Sequence, residues 1–141
     1  MKNSLKKLLA LVLVLSMAFC FAACDDEKKT ENSTPNSAEE QIQAYIDSQQ
    51  EDIDAAIEAI KAQGEDVKVY AKDSALVYEY KINQDIPESS IADFEASVED
   101  TRSELESSAK EVFDECEAVE EVVYIYYDVD GTKLCELTIE R

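Results

Sequence analysis

Past residue 37 the apolar positions change rhythm four times. Ile42, Tyr45, Ile46, Ile53, Ala56, Ile57 and Ile60 recur at three- and four-residue steps and mark one face of a helix over about 38–63. Ser37 followed by Glu40 makes a capping box at its start, and Gly64 is a natural stop. Val67 to Ala71 and Ala75 to Ile82 then alternate with period two, separated by Asp73-Ser74, which predicts a hairpin. With that two-residue tip, Lys68 faces Glu79 on one side of the ribbon and Val69 faces Tyr78 on the other. Pro87 opens a second helical stretch, with Ile91, Phe94, Val98, Leu105, Val112, Phe113 and Cys116 at helical spacing over about 87–117. Its polar middle, near Ser103 and Ser107, predicts looser packing there.

Val119 to Tyr127 has strand composition, and Asp128-Val129-Asp130-Gly131-Thr132 is a turn. A three-residue loop with Gly131 in the left-handed region gives a bulged hairpin. In that register Val123, Ile125 and Tyr127 share the core face with Cys135, Leu137 and Ile139. The order helix, hairpin, helix, hairpin predicts an α+β fold. Two long amphipathic helices pack on one face of a four-stranded antiparallel sheet, in a single domain over 38–141.

The first 24 positions follow another logic. Met1 to Lys7 is basic, and Leu8 to Phe21 is apolar apart from Ser16. Ala22-Ala23-Cys24 then precedes Asp25-Asp26. This is the plan of a cleavable signal peptide over 1–23, and the apolar run is short for a spanning helix, which needs about 20 residues. Phe21-Ala22-Ala23-Cys24 resembles the bacterial lipobox, in which the cysteine receives a diacylglyceryl group and the signal peptidase cuts before it. The resemblance implies lipidation of Cys24 and an anchor in the cell membrane on its extracytoplasmic face. Residues 24–37 then form an acidic tether (DDEKKTENSTPN at its centre) that cannot bury a core. About 13 such residues reach roughly 20 Å from the bilayer.

Composition narrows the chemistry. The 141 residues carry 33 acidic and 13 basic side chains, a formal charge of −20, and neither His nor Trp. Such a surface repels nucleic acid, which is therefore not an expected partner. The absent His removes the commonest general base and metal ligand. No catalytic residues, cofactor or metal site are expected. Asp128, Asp130 and Gly131 suggest a calcium loop, but Lys133 and the missing closing Glu favour a plain turn. Cys116 and Cys135 are expected as separate thiols, because Cys135 opposite Ile125 lies too far along its strand from the end of the second helix.

The lipobox, the polar tether, the long helix, the VKVYAKDSALVYEYK hairpin over Val67 to Lys81, the second helix and the closing DGT hairpin together resemble a Gram-positive (Firmicutes) family of small lipoproteins. It is catalogued as domain of unknown function 4854, and it implies a cell-surface location and no assigned activity. The residues themselves offer one candidate binding face. In the bulged register Tyr70, Tyr124 and Tyr126 point away from the helices, near Val77, Val122 and Leu134. An aromatic stripe there suits a non-enzymatic module that binds a cell-envelope protein or peptide. The alternative is a structural or envelope-stress surface protein with no specific ligand. Intact-mass measurement of the native product is expected to show a chain beginning at Cys24 with added acyl mass. Cys24→Ser is expected to abolish both that mass and retention in the membrane fraction; an unmodified leader would contradict the reading.

Overall fold

A computed structural model describes residues 37–141. The expected signal peptide, the lipidation at Cys24 and the tether lie outside the described residues. Four helices and four strands follow in order: α1 (Ala38–Ser48), α2 (Gln50–Lys61), β1 (Asp66–Lys72), β2 (Ala75–Lys81), α3 (Glu88–Asp100), α4 (Arg102–Glu115), β3 (Glu121–Tyr127) and β4 (Lys133–Glu140). The α+β class holds. Ser37 caps α1 as its sequence implies, its Oγ accepting from the Glu40 N–H at 3.2 Å.

Each long helix is broken into two. The breaks fall at Gln49 (φ −103°, ψ 11°) and Thr101 (φ −93°, ψ 0°). They have a common cause in the sequence. Ile46 and Ile53 are buried with a seven-residue step between them, as are Val98 and Leu105. The position three residues on, which would continue the apolar face, holds polar Gln49 or Thr101. Thr101 turns its hydroxyl back onto the Val98 carbonyl at 2.7 Å, a contact that competes with regular helix. The Gln49 Oε1 is buried without a hydrogen-bond partner. A bend at these points lets both halves of each helix follow a twisted sheet; α1 and α2 both lie over β1, and α3 and α4 both lie over β4.

The strands stand in the order β1-β2-β3-β4. The first hairpin has the expected register, Lys68 opposite Glu79 and Val69 opposite Tyr78, with Asp73 at its tip in the left-handed region (φ 54°). The sheet is mixed, however, and not purely antiparallel: β2 and β3 run parallel. The reason is the connection. The paired helices α3 and α4 carry the chain back along the sheet, so β3 begins beside the start of β2. One consequence concerns the repeated α-β-β order. In the first half the second strand is the inner one, in the second half the first strand is. With the inner pair parallel, no rotation superimposes the two halves.

Gly131 takes φ 85° in the second hairpin's loop, as expected, but β4 carries a further bulge at Leu134, between the Tyr126–Cys135 and Tyr127–Lys133 pairs. Its pairing differs from the sequence reading by one residue. Cys135 lies opposite Tyr126, and Leu137 opposite Tyr124. Because strand side chains alternate, a slip of one moves every side chain of β3 to the other face. Tyr124 and Tyr126, expected on the open face, therefore point into the core, with 1% and 2% of their surface exposed. Val122 and Leu134 also belong to the core.

There the parallel register sets Tyr78 beside Tyr124 and Tyr80 beside Tyr126. Both ring pairs stack with centroids 5.2 Å apart, at 9° and 12°. Phe94 of α3 meets Tyr126 edge-on at 5.7 Å. Loop closure adds polar ties. The Arg141 guanidinium lies over the Phe113 ring at 5.5 Å and donates to the carbonyls of Phe113, Cys116 and Glu117, which end α4.

Tyr124→Ala is expected to cost about 3–5 kcal/mol in chemical denaturation, as large-to-small changes of buried rings do. The Tyr80 hydroxyl is buried with no partner. Tyr80→Phe is therefore expected to leave stability unchanged or raise it by about 1 kcal/mol. A marked loss in Tyr80→Phe would show that the hydroxyl is satisfied.

Candidate functional site

All four helices of the described residues cover one face of the sheet, and alternation decides what the other face presents. From β1 come Asp66, Lys68, Tyr70 and Lys72; from β2, Ala75, Val77, Glu79 and Lys81. From β3 come Glu121, Val123, Ile125 and Tyr127; from β4, Lys133, Glu136, Thr138 and Glu140. Val77 and Val123 are neighbours across the central pair. They form the floor of a shallow groove of about 360 Å³ walled by Tyr70, Lys72, Glu136 and Thr138. Longer neighbours overhang them, so Val77 is 3% and Val123 9% exposed. Ile125 and Tyr127 are half-buried, as is Tyr70.

Charge on this face is locally matched. Lys68 Nζ lies 3.4 Å from Glu79 Oε1, and Lys133 Nζ 2.5 Å from Glu136 Oε2. The Tyr70 hydroxyl donates to Glu79 Oε2 at 3.2 Å. Burial, then the Glu79 carboxylate, raises the Tyr70 pKa. The helices are different: α1 to α4 carry many carboxylates and, as cations, only Lys61, Arg102 and Lys110. Lys68, Lys72, Lys81 and Lys133 all stand on the open sheet face, close to balancing its acids.

Of the residues singled out from sequence, the structure places Tyr70 on this face and removes Tyr124 and Tyr126 to the core. It adds Val123, Ile125 and Tyr127. The signal that could have found them is the cross-strand partner of Glu136: this exposed acid pairs with Ile125, which sets the face of the whole strand.

Asp128 is buried, but its carboxylate serves its own loop. Oδ1 accepts from the N–H groups of Asp130 at 3.0 Å and Thr132 at 2.8 Å. Among the described residues no cluster of His, Cys, Asp or Glu could hold a metal ion. Cys116 and Cys135 are free thiols, the first buried and the second half-buried. Burial, then the Glu95 carboxylate, pushes the Cys135 thiol up to about 12, so it carries little thiolate near neutrality. Among the described residues no helix is long and apolar enough to cross a membrane.

Residues 38–139 match the family described as domain of unknown function (DUF4854), and the chain belongs to that family. No curated protein and no solved structure matches it.

The stacked tyrosines give the fold a pH limit. Burial raises the pKa of Tyr78, Tyr80, Tyr124 and Tyr126 above 10 in the folded state. A raised pKa favours the protonated form, so these groups stabilise the fold fully below about pH 10, and that stability falls as pH rises further. Titration followed at 295 nm is expected to show their ionisation together with loss of the far-ultraviolet circular dichroism. Full tyrosinate formation with the fold retained would contradict the buried stack.

Proposed function

We propose that this chain is a non-enzymatic module, held at the extracytoplasmic face of the cell membrane by a lipid on Cys24, that binds a protein or peptide of the cell envelope through its open sheet face. The observation that carries the reading is the one-sidedness of the sandwich. Helices cover one face of the sheet. The other is left with tyrosine, aliphatic and balanced charged side chains on a protein that is otherwise strongly acidic. Tyr is enriched at protein interfaces, and opposite charges that meet across them add specificity. Phe21-Ala22-Ala23-Cys24 supports the anchor, and the acidic surface argues against nucleic acid as a partner.

A second reading, a structural or envelope-stress protein without a specific ligand, is favoured by one feature. The groove floor is almost covered by its neighbours, and the large apolar side chain that stands clearly exposed among the described residues is Val129, at 38%, in the β3–β4 loop. Capture of envelope proteins by the native lipoprotein separates the two. Tyr70→Ser with Tyr127→Ser is expected to lower specific capture roughly tenfold, since buried interface tyrosines are frequent hot spots. Unchanged capture by a folded double variant would favour the second reading.

A further inference from the structure

The open face is self-complementary, and we infer that its partner is a second copy of this chain. The inference rests on the proposal that this face binds. Following residues straight across the strands, Lys72 shares a row with Glu140, Lys68 with Glu136, and Asp66 with Lys133. Each pair spans the sheet from the β1 edge to the β4 edge and carries opposite signs. Place a second sheet face to face with the first, related by a two-fold axis along the strands. That operation keeps each row and exchanges the edges. Lys72 then meets Glu140 of the other copy, Lys68 meets Glu136, and Asp66 meets Lys133, each contact occurring twice. Val77 comes to lie over Val123 at the centre. Lys72 and Glu140 have no ion pair within the described residues, so this contact displaces none; Lys68 and Lys133 would share their present partners.

The arrangement also agrees with the anchor. Glu39, at the start of α1, accepts from the Asp73 N–H at the tip of the first hairpin at 3.4 Å. Ser37 therefore sits at the Lys72 end of the sheet. An axis along the strands sends both tethers out at that same end, so both reach one membrane. A two-fold axis across the strands would send them out at opposite ends. The acidic helix layers face outward, separated by two sheets packed about 10 Å apart and by their own thickness, well beyond a Debye length of about 8 Å.

The contact is small. Four strands about 4.8 Å apart and seven residues long cover roughly 440 Å² per copy, below the roughly 800 Å² per partner of standard stable interfaces. Association in free solution is therefore weak, and confinement to one membrane supplies the concentration that it needs.

The test uses the full-length lipoprotein, made with natural and with ¹⁵N isotopes, mixed and reconstituted into phosphatidylglycerol–phosphatidylcholine vesicles. A carbodiimide then joins lysine to carboxylate without a spacer. Mixed-isotope peptides linking Lys72 to Glu140 are expected; within one chain these residues stand three strand spacings apart and cannot join. Lys72→Glu alone and Glu140→Lys alone are each expected to reduce dimer yield roughly tenfold. Mixing the two variants is expected to restore it, because both edges regain opposite charges. Failure of the mixture to restore the dimer, or mixed-isotope links confined to other residues, would overturn the face-to-face arrangement. Absence of mixed links while Tyr70→Ser still lowers capture of other envelope proteins overturns the second-copy assignment but leaves the binding face in place. Absence of both effects overturns both.

Discussion

The stacking of Tyr78 on Tyr124 and of Tyr80 on Tyr126 is the contact on which the architecture turns. It joins β2 to β3, the one pair in the sheet linked through the crossover helices and not by a tight turn. Aromatic pairs of this kind contribute about 0.5–1.5 kcal/mol beyond the apolar area that they bury. Their larger effect is on register. Ring against ring is satisfied at one alignment of the parallel strands, and a shift by one residue would turn the rings of β3 toward solvent. Phe94 then locks the ladder to the helix layer from above. The unpartnered Tyr80 hydroxyl is the cost of using tyrosine in a place where only its ring is needed.

Much of this was legible in the residues. The period-two run around Asp73-Ser74 sets the register of the first hairpin because one face is apolar and the other carries Lys68 and Glu79. Ser37 and Gly64 bound the first helical stretch. Even the helix breaks have a trace, in polar Gln49 and Thr101 at positions that an uninterrupted apolar face would fill. The face of β3 was not legible. Val122 to Tyr127 is apolar or aromatic at every position, so the run itself carries no alternation to say which side is inward. The bulge at Leu134 removes the help that β4 would give, because Leu134 and Cys135 both pack toward the core. The parallel pairing was hidden for another reason. Two hairpins suggest an antiparallel sheet, and only the length of the helical return shows that β3 must begin beside the start of β2.

Separation of charge follows from the same topology. With all four described helices on one side, the carboxylates that keep the helices soluble crowd the outer surface, and four of the lysines are left to the bare face of the sheet. That face is thus nearly neutral where the helix layer is strongly acidic, although no motif in the sequence announces it. Tyr70 was legible as part of it because its hairpin was; Ile125 and Tyr127 were not, for the reason that misplaced Tyr124 and Tyr126. Two of the three tyrosines expected on the open face, Tyr124 and Tyr126, instead hold the core together, and Tyr70 alone of the three remains on that face.

The architecture stands or falls on which tyrosines solvent can reach. Photochemically induced nuclear polarisation, which marks rings accessible to a dissolved flavin dye, reads this residue by residue. Enhancement at Tyr70 and Tyr127 with none at Tyr78, Tyr80, Tyr124 and Tyr126 is the expected result. Enhancement at Tyr124 or Tyr126 in the folded chain would put β3 on its other face, and the stack, the parallel register and the open-face assignment would fall together.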